Sequence, residues 1–248
     1  MKQRIVLAYS GTAESTSAIR TLTERQTAEV VTLTVDVGQG DELQQVRDRA
    51  LAAGAARAHV IDAREEFARG YALPALQAGV PTGGWRRLIR SLSLPLVDAK
   101  LRAIAAIEQA TIATDAPPHI VDATVLGRVV AGDRYLLTKA AAAAPEAPAF
   151  VVITFADGLP VAINDVSLPL TELIESLAII AGQHGVGRIE DVEAPAAVVL
   201  HAALQAGAPT AHAGAVGCKS GVPTAHGIVH MKLLRGACEH IPELVTQA

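Results

Sequence analysis

The residues best suited to chemistry form a small, hydroxyl-rich turn near the start of the chain. The turn, residues 9–17 (Y-S-G-T-A-E-S-T-S), follows the apolar run Ile5–Ala8, which predicts a buried parallel strand. Ala18, Ile19 and Leu22 then predict an amphipathic helix. A turn that feeds a helix leaves the first N–H groups of the helix free, and these donors and the helix dipole favour an anion, most often a phosphate. Neighbouring hydroxyls can add donors, so the turn predicts a phosphate cradle.

Two well-known phosphate motifs are excluded at this turn. No G-K-[ST] ends it, as a Walker A loop requires, and it lacks the G-x-G-x-x-G pattern of dinucleotide-binding folds. An ordinary strand-to-helix turn with a Ser or Thr cap is the alternative. The turn alone does not decide between this alternative and the cradle.

A wider set of residues resembles one family. The turn is similar to the S-G-G-x-D-[ST]-S pyrophosphate loop of the N-type ATP pyrophosphatases, and its surroundings resemble argininosuccinate synthase. The likeness covers most of residues 4–204 and continues in order through residues 36–41 (D-V-G-Q-G-D), 158–163 (G-L-P-V-A-I), 181–189 (A-G-Q-H-G-V-G-R-I) and 193–197 (E-A-P-A-A).

This resemblance implies a fold and a division of the chain. The expected fold class is α/β, with a Rossmann-like parallel sheet of the adenine nucleotide alpha hydrolase type and a second, smaller α+β domain. We expect an ATP-binding domain over residues 1–116 and a truncated synthetase-type domain over 117–204. Residues 205–248 show no family likeness and are expected to form a divergent C-terminal tail.

The resemblance also implies a set of ATP-binding residues, with Mg²⁺ accompanying the ATP. Thr12 stands where the family has a second glycine, so a positive φ there would strain it by about 1–3 kcal/mol. Glu14 replaces an aspartate and carries its carboxylate one methylene further out. Both changes are expected to weaken ATP binding. The implied ATP-binding residues are Ala8, Tyr9, Ser10, Gly11, Thr12, Glu14, Ser15, Thr16, Val35 and Gly38.

The implied substrates are citrulline and aspartate, but their pocket is incomplete in this sequence. Ser91 and Glu172 match substrate-binding residues of the family, although a capping serine and a surface glutamate would explain them as well. The G-x-T-G-K-G-N-D-Q loop that recognises aspartate in the family is missing after Thr114. Other substrate-binding positions hold residues of a different type: Arg86, Leu94, Ile120 and Val129.

The function implied by this resemblance is an ATP-dependent ligase of arginine biosynthesis, which joins citrulline to aspartate through a citrullyl-adenylate. The missing loop and altered pocket predict impaired activity, and no catalytic side chain is assigned. One alternative is a non-catalytic nucleotide-binding relative or a regulatory partner of a full-length synthase. Another is a decaying copy with no retained role.

Composition limits the remaining function classes. The net charge of −4 gives no indication of nucleic-acid or membrane binding, and no apolar run is long enough to span a bilayer. The two cysteines are too few for a disulfide framework, and no signal peptide is recognisable, so a cytoplasmic protein with small-molecule partners is expected. A homo-oligomer is left open. Cys218, His226, His230 and Cys238 could ligate zinc, but their spacing matches no standard site.

Overall fold

The structure, a computed structural model, describes residues 3–25, 28–40, 43–80, 84–113, 121–206 and 226–242. The chain divides into two units, one of residues 1–67 and 89–124 and the other of residues 68–88 and 125–248. The strands are β1 Arg4–Ala8, β2 Glu29–Asp36, β3 Arg57–Asp62, β4 Thr111–Ile112, β5 Ala123–Thr124, β6 Gly127–Val129, β7 Ala149–Ala156, β8 Leu159–Ile163, β9 Val166–Ser167, β10 Arg188–Ile189, β11 Val192–Glu193, β12 His226–Leu234 and β13 Ala237–Ile241. The α-helices are α1 Ala13–Arg25, α2 Leu43–Ala52, α3 Arg64–Phe67, α4 Leu73–Ala78, α5 Trp85–Ser91, α6 Leu94–Glu108, α7 Leu170–Gln183 and α8 Pro195–Gln205.

The first unit is built on a parallel sheet with the strand order β3-β2-β1-β4. The β2 strand is buried along nearly its whole length, as expected for a parallel strand that is covered on both faces. Helices α1 and α2 pack their apolar sides into one core cluster with the sheet. This cluster contains Leu7, Tyr9, Ile19, Val30, Val46, Ala50, Ala53 and Ala55. It holds in place the two helices that flank the predicted phosphate cradle.

The sequence of residues 88–109 predicts a helix that Pro95 kinks or interrupts, and the structure shows an interruption. Helix α5 ends at Ser91 and α6 begins at Leu94, with Pro95 in its first turn. Proline is tolerated there because the first N–H groups of a helix have no intrahelical partner. Of the kink and the restart that Pro95 predicts, the structure shows the restart.

The second unit contains an antiparallel sheet with the strand order β13-β12-β7-β8-β9. The pair Asp157-Gly158 predicts a hairpin turn, and in the structure it joins the antiparallel strands β7 and β8 with positive φ angles of 52° and 76°. Val151, Ile153 and Phe155 of β7 are buried. Helices α7 and α8 pack against each other and contact strands of this sheet.

The second unit also holds a hairpin that the sequence analysis did not anticipate. Strand β12 pairs with β7 over the full register from His226–Ala156 to Leu233–Ala149, and β13 then pairs with β12. Arg235 and Gly236 make the turn, with φ angles of 46° and 90°. Part of the stretch expected to be a divergent tail is therefore an integral part of the sheet.

The hairpin separates two of the residues considered for zinc. Cys238 pairs with Leu233, and His230 pairs with Ile241. Successive residues of a strand alternate between faces, so these registers place His230 and Cys238 on opposite faces of the sheet. Burial, assisted by the charge of Glu239, raises the pKa of the Cys238 thiol to about 12, which disfavours the thiolate that a metal needs. Cys218 and the side chain of His226 lie outside the described residues, among which no group of three His, Cys, Asp or Glu side chains could hold a metal.

The predicted fold class is confirmed. The first unit has the Rossmann-like parallel sheet, and the second combines antiparallel sheets with two helices. The predicted domain boundaries at residues 116 and 204 stay predictions. Within the described part of the chain, no helix is long and apolar enough to cross a membrane.

Candidate functional site

The predicted phosphate cradle lies at the carboxyl end of β1, where hydrogen bonds fix it to the neighbouring strand. The Tyr9 N–H donates to the Leu33 carbonyl at 2.8 Å, and the Thr34 hydroxyl donates to the Tyr9 carbonyl at 2.9 Å. The Tyr9 side chain is fully buried. Because β1 and β2 are parallel neighbours, the loops that follow them emerge at the same edge of the sheet. Ligands of open α/β sheets bind at this edge.

Thr12 caps helix α1 without the strain that a positive φ would cause. Its φ is not positive, whereas Gly11 takes the left-handed conformation with a φ of 78°. The Thr12 carbonyl accepts the Thr16 N–H at 3.0 Å, and the Thr12 Oγ1 accepts the Ser15 N–H at 3.3 Å. This is the bonding of an N-cap residue. The family's second glycine is thus replaced by a residue that stabilises the start of the helix.

Several of the predicted hydroxyl donors are used inside the loop. The Ser15 Oγ donates to the Thr12 carbonyl at 3.0 Å, and Ser15 is only 2% exposed. The Thr16 Oγ1 donates to the same carbonyl at 2.8 Å and lies 2.9 Å from the Tyr9 hydroxyl. Thr12, Ala13 and Glu14 are exposed. The Ser10 Oγ lies 3.3 Å from the Thr12 Oγ1, and the Thr12 hydroxyl donates to the Ser15 Oγ at 3.1 Å. The accessible groups are therefore the first N–H groups of α1 that Thr12 leaves unbonded.

Replacing Thr12 by alanine is expected to lower the free energy of unfolding by about 1 kcal/mol, because the Ser15 N–H loses its side-chain acceptor. Thr12→Ser is the matched control, since serine keeps the capping oxygen. Urea unfolding of the three proteins measures the effect. Equal stability of the alanine and serine variants would contradict the capping role.

In the second loop, after β2, side chains form hydrogen bonds with the backbone of the loop itself. The Gly38 N–H donates to the Asp36 Oδ1 at 2.8 Å. The Gln39 amide donates to the Val35 carbonyl at 2.8 Å and accepts the Val37 N–H at 2.8 Å. Val35 and Val37 are fully buried. The structure therefore brings Val35 and Gly38 to the same sheet edge as the first loop, with the Val35 carbonyl already hydrogen-bonded to Gln39.

Arg49 of helix α2 is a neighbour of the first loop that sequence reasoning missed. Its Nη2 atom lies 2.9 Å from the position that a Cβ on Gly11 would take. The methyl groups of Val46 lie 3.2 and 3.3 Å from the same position. No motif indicates this contact, because it depends on how α2 packs.

The two predicted substrate residues lie in different units. Ser91 is the last residue of α5 and is partly buried, in the first unit. Glu172 is exposed in the first turn of α7, in the second unit. A carboxylate in the first turn also stabilises a helix through its dipole, so the surface-glutamate alternative stays open. The substrate roles of both residues stay predictions.

The substituted substrate positions have other surroundings. Arg86, which stands where the family has a tyrosine, forms an ion pair with Asp191. Leu94 begins α6 and Val129 ends β6. Ile120 lies outside the described residues. The guanidinium of Arg86 is thus already paired with a carboxylate.

A buried carboxylate, that of Glu193 in the family-like segment 193–197, binds the backbone of residues 136–138 in the second unit. Glu193 is fully buried, and its carboxylate accepts the N–H groups of Leu136, Leu137 and Thr138 at 2.8–2.9 Å. It also accepts the Thr138 hydroxyl at 2.8 Å. Arg188 donates to the Thr138 carbonyl at 2.7 Å, and its guanidinium lies 3.7 Å from the centre of the Tyr135 ring. These contacts give Glu193 and Arg188 structural roles in holding residues 135–138.

Two family descriptions match the chain. Residues 4–116 match "Arginosuccinate synthase N-terminal HUP domain", and residues 126–203 match "Arginosuccinate synthase C-terminal domain". The first match supports the adenine nucleotide alpha hydrolase type of the predicted fold. Among solved structures, the chain is similar to an NAD+ synthetase from Burkholderia pseudomallei (21% identity, TM-score 0.32, covering 46% of this chain and 54% of that one).

Curated relatives cover most of the chain. It is 31% identical over 258 residues to the argininosuccinate synthase of Bacillus cereus (strain Q1). This alignment covers 77% of this chain and 64% of the relative. It is 32% identical over 283 residues to that of Oceanobacillus iheyensis, covering 82% and 68%. The chain thus spans about two thirds of the length of these relatives. The two family matches and these identities show that the chain belongs to the argininosuccinate synthase family.

Proposed function

We propose that this chain binds ATP at the loop after β1 and acts as an argininosuccinate synthase-type ligase of reduced activity. The observation that carries the proposal is the exposed start of α1 at the carboxyl end of β1. There, the left-handed Gly11 turns the chain, and the Thr12 Oγ1 accepts only one of the first N–H groups of the helix, that of Ser15. The other N–H groups and the helix dipole suit an anion.

The proposed reaction follows from the chemistry of the family relatives. The ureido oxygen of citrulline attacks the α-phosphorus of ATP, and pyrophosphate leaves. The aspartate amine then attacks the ureido carbon, loses a proton and expels AMP to give argininosuccinate. Such chemistry depends on positioning and charge neutralisation more than on a protein nucleophile.

Each predicted site residue has a place in this proposal. Val35 and Gly38 border the adenosine. The departing pyrophosphate is held by the predicted residues of the first loop: Ala8, Tyr9, Ser10, Gly11, Thr12, Glu14, Ser15 and Thr16. Ser91 of the first unit and Glu172 of the second are the substrate-binding residues that the family resemblance implies. Mg²⁺ accompanies the phosphates.

A second candidate function is nucleotide binding without turnover. The ion pair between Arg86 and Asp191 favours it, because Arg86 stands where the family has a substrate-binding tyrosine. The apolar Leu94 and Val129 cannot replace polar substrate contacts. Each buried substrate group that loses its partner costs about 1–3 kcal/mol, so citrulline affinity falls steeply while the nucleotide loop is unaffected.

Calorimetric titration with ATP and Mg²⁺, followed by an assay for AMP and pyrophosphate with citrulline and aspartate present, tests both functions. We expect saturable ATP binding that is weakened in Gly11→Ala, because Gly11 has a φ of 78° and lies tightly against Val46. Gly54→Ala is the control: its φ of 107° is also positive, but the nearest atoms lie at an ordinary 3.7 Å. Binding with turnover supports the ligase, and binding without turnover supports the second function. No ATP binding would overturn both.

A further inference from the structure

The predicted phosphate cradle contains no positive side chain of its own. Residues 8–17 include a single charged side chain, the carboxylate of Glu14, which is exposed in the first turn of α1. A polyphosphate brings several negative charges, and a nearby carboxylate repels them. Neutral N–H groups and a helix dipole offset only part of this repulsion. A cation from another element would therefore strengthen binding at this loop.

Arg49 of α2 places its guanidinium against this loop. Its Nη2 atom lies 2.9 Å from where a Cβ on Gly11 would be, so the guanidinium fills space that only a glycine leaves open. Val46, one helical turn earlier, is 9% exposed and packs with Ala50 into the core cluster. This packing fixes α2 beside the loop. Residues three apart on a helix are neighbours on its surface, so Arg49 emerges next to the buried Val46 at the loop.

The Arg49 guanidinium is available for a ligand. Among the described residues it forms no ion pair, and it is exposed. By contrast, carboxylates pair with five other arginines of the first unit: Arg4, Arg57, Arg64, Arg90 and Arg102. A guanidinium presents five donors in a planar fork that matches the oxygens of a phosphate group.

We infer that Arg49 is a phosphate-binding residue, which contacts the two phosphates of ATP that leave as pyrophosphate. This inference rests on the proposed ATP site and adds to it a positively charged side chain. It also gives Gly11 a second role besides its backbone conformation. A side chain at this position would displace the guanidinium from its place beside the loop.

Calorimetric titration with inorganic pyrophosphate and Mg²⁺, and separately with ATP and with AMP, tests the inference. In Arg49→Gln we expect the dissociation constants of pyrophosphate and ATP to rise by about 10- to 100-fold, as for a lost charge-assisted hydrogen bond. The dissociation constant of AMP, which lacks those two phosphates, should stay unchanged. Arg49→Lys should recover part of the affinity by keeping the charge.

Arg47→Gln is the matched control, because Arg47 is also exposed on α2 but lies two residues away, on another side of the helix. It should leave all three dissociation constants unchanged. Equal affinity of wild type and Arg49→Gln for pyrophosphate would overturn the role of Arg49 while leaving the ATP site intact. An equal loss of AMP affinity would also overturn it. A wild-type protein that binds neither pyrophosphate nor ATP would overturn this inference together with the proposed function.

Discussion

Replacing Glu193 by alanine is expected to lower the free energy of unfolding by about 3–5 kcal/mol, the range for removing one partner of a buried ionic network. The fully buried carboxylate accepts three backbone N–H groups and one hydroxyl from residues 136–138. The variant would leave the two buried donors of Thr138 and the partly buried N–H groups of Leu136 and Leu137 without an acceptor. It would also leave Arg128, whose Nη1 lies 3.7 Å from the carboxylate, without its ion pair. Urea unfolding followed by circular dichroism measures the change.

Glu193→Gln separates hydrogen bonding from charge. The glutamine oxygen can still accept the donors that reach Oε1, but its amide group would face the Leu136 N–H as a second donor. We therefore expect an intermediate loss of about 1–3 kcal/mol. The control is Glu146→Ala, since Glu146 is 91% exposed and its ion pair with Arg235 contributes little. A Glu193→Ala protein as stable as this control would contradict the organising role of the carboxylate.

Gly187→Ala is expected to destabilise the second unit by about 2–6 kcal/mol, adding backbone strain to overpacking. Gly187 has a φ of 92°, and a Cβ there would lie 2.3 Å from the Cα and 2.4 Å from the nitrogen of Pro195. Both clashing atoms belong to the backbone at the start of α8, so no side-chain rotation relieves them. The Ala194 N–H also donates to the Gly187 carbonyl at 2.7 Å, which holds the two segments together. Thermal unfolding of the purified variant measures the effect.

Gly79→Ala isolates the contribution of backbone conformation. Its φ of 93° is nearly the same, but a Cβ there would have no neighbour within 4 Å. This control should cost only the strain, about 1–3 kcal/mol. Equal losses in the two variants would show that close approach to Pro195 is not what requires glycine at position 187.

Local patterns predicted the elements that position the site. The apolar runs of β1 and β2 and the turn after β1 follow from residue types alone, as does a kink or restart of the helix at Pro95. The conformation of the turn was harder to predict. The resemblance to the family led to the question of whether position 12 has a positive φ. In the structure, Gly11 takes the left-handed conformation and Thr12 caps the helix. The sequence alone does not distinguish a capping threonine from a strained one, because the difference lies in the backbone conformation.

Contacts between distant elements lay beyond sequence reasoning. Arg49 is an ordinary helix-surface arginine in the sequence, and its position beside Gly11 depends on the packing of Val46. The β12–β13 hairpin did leave a signal. Val229, Met231 and Leu233 alternate with His230 and Lys232, as in a strand with one buried face, and Arg235-Gly236 fits a turn. Residues after 204 show no family likeness, so this alternation is the signal in the sequence that indicates the hairpin.

The pairing of β12 with β7 has a consequence for biosynthesis. The two strands are about 75 residues apart in sequence, so their ladder is a contact of high sequence separation, which forms slowly. A nascent chain exposes the β7 edge until residues 226–234 have left the ribosome, and an unpaired edge of this kind invites aggregation. Completion of the second unit must therefore wait until residues 226–234 have been synthesised, whereas strands β1 to β4 of the parallel sheet have all been synthesised by residue 112.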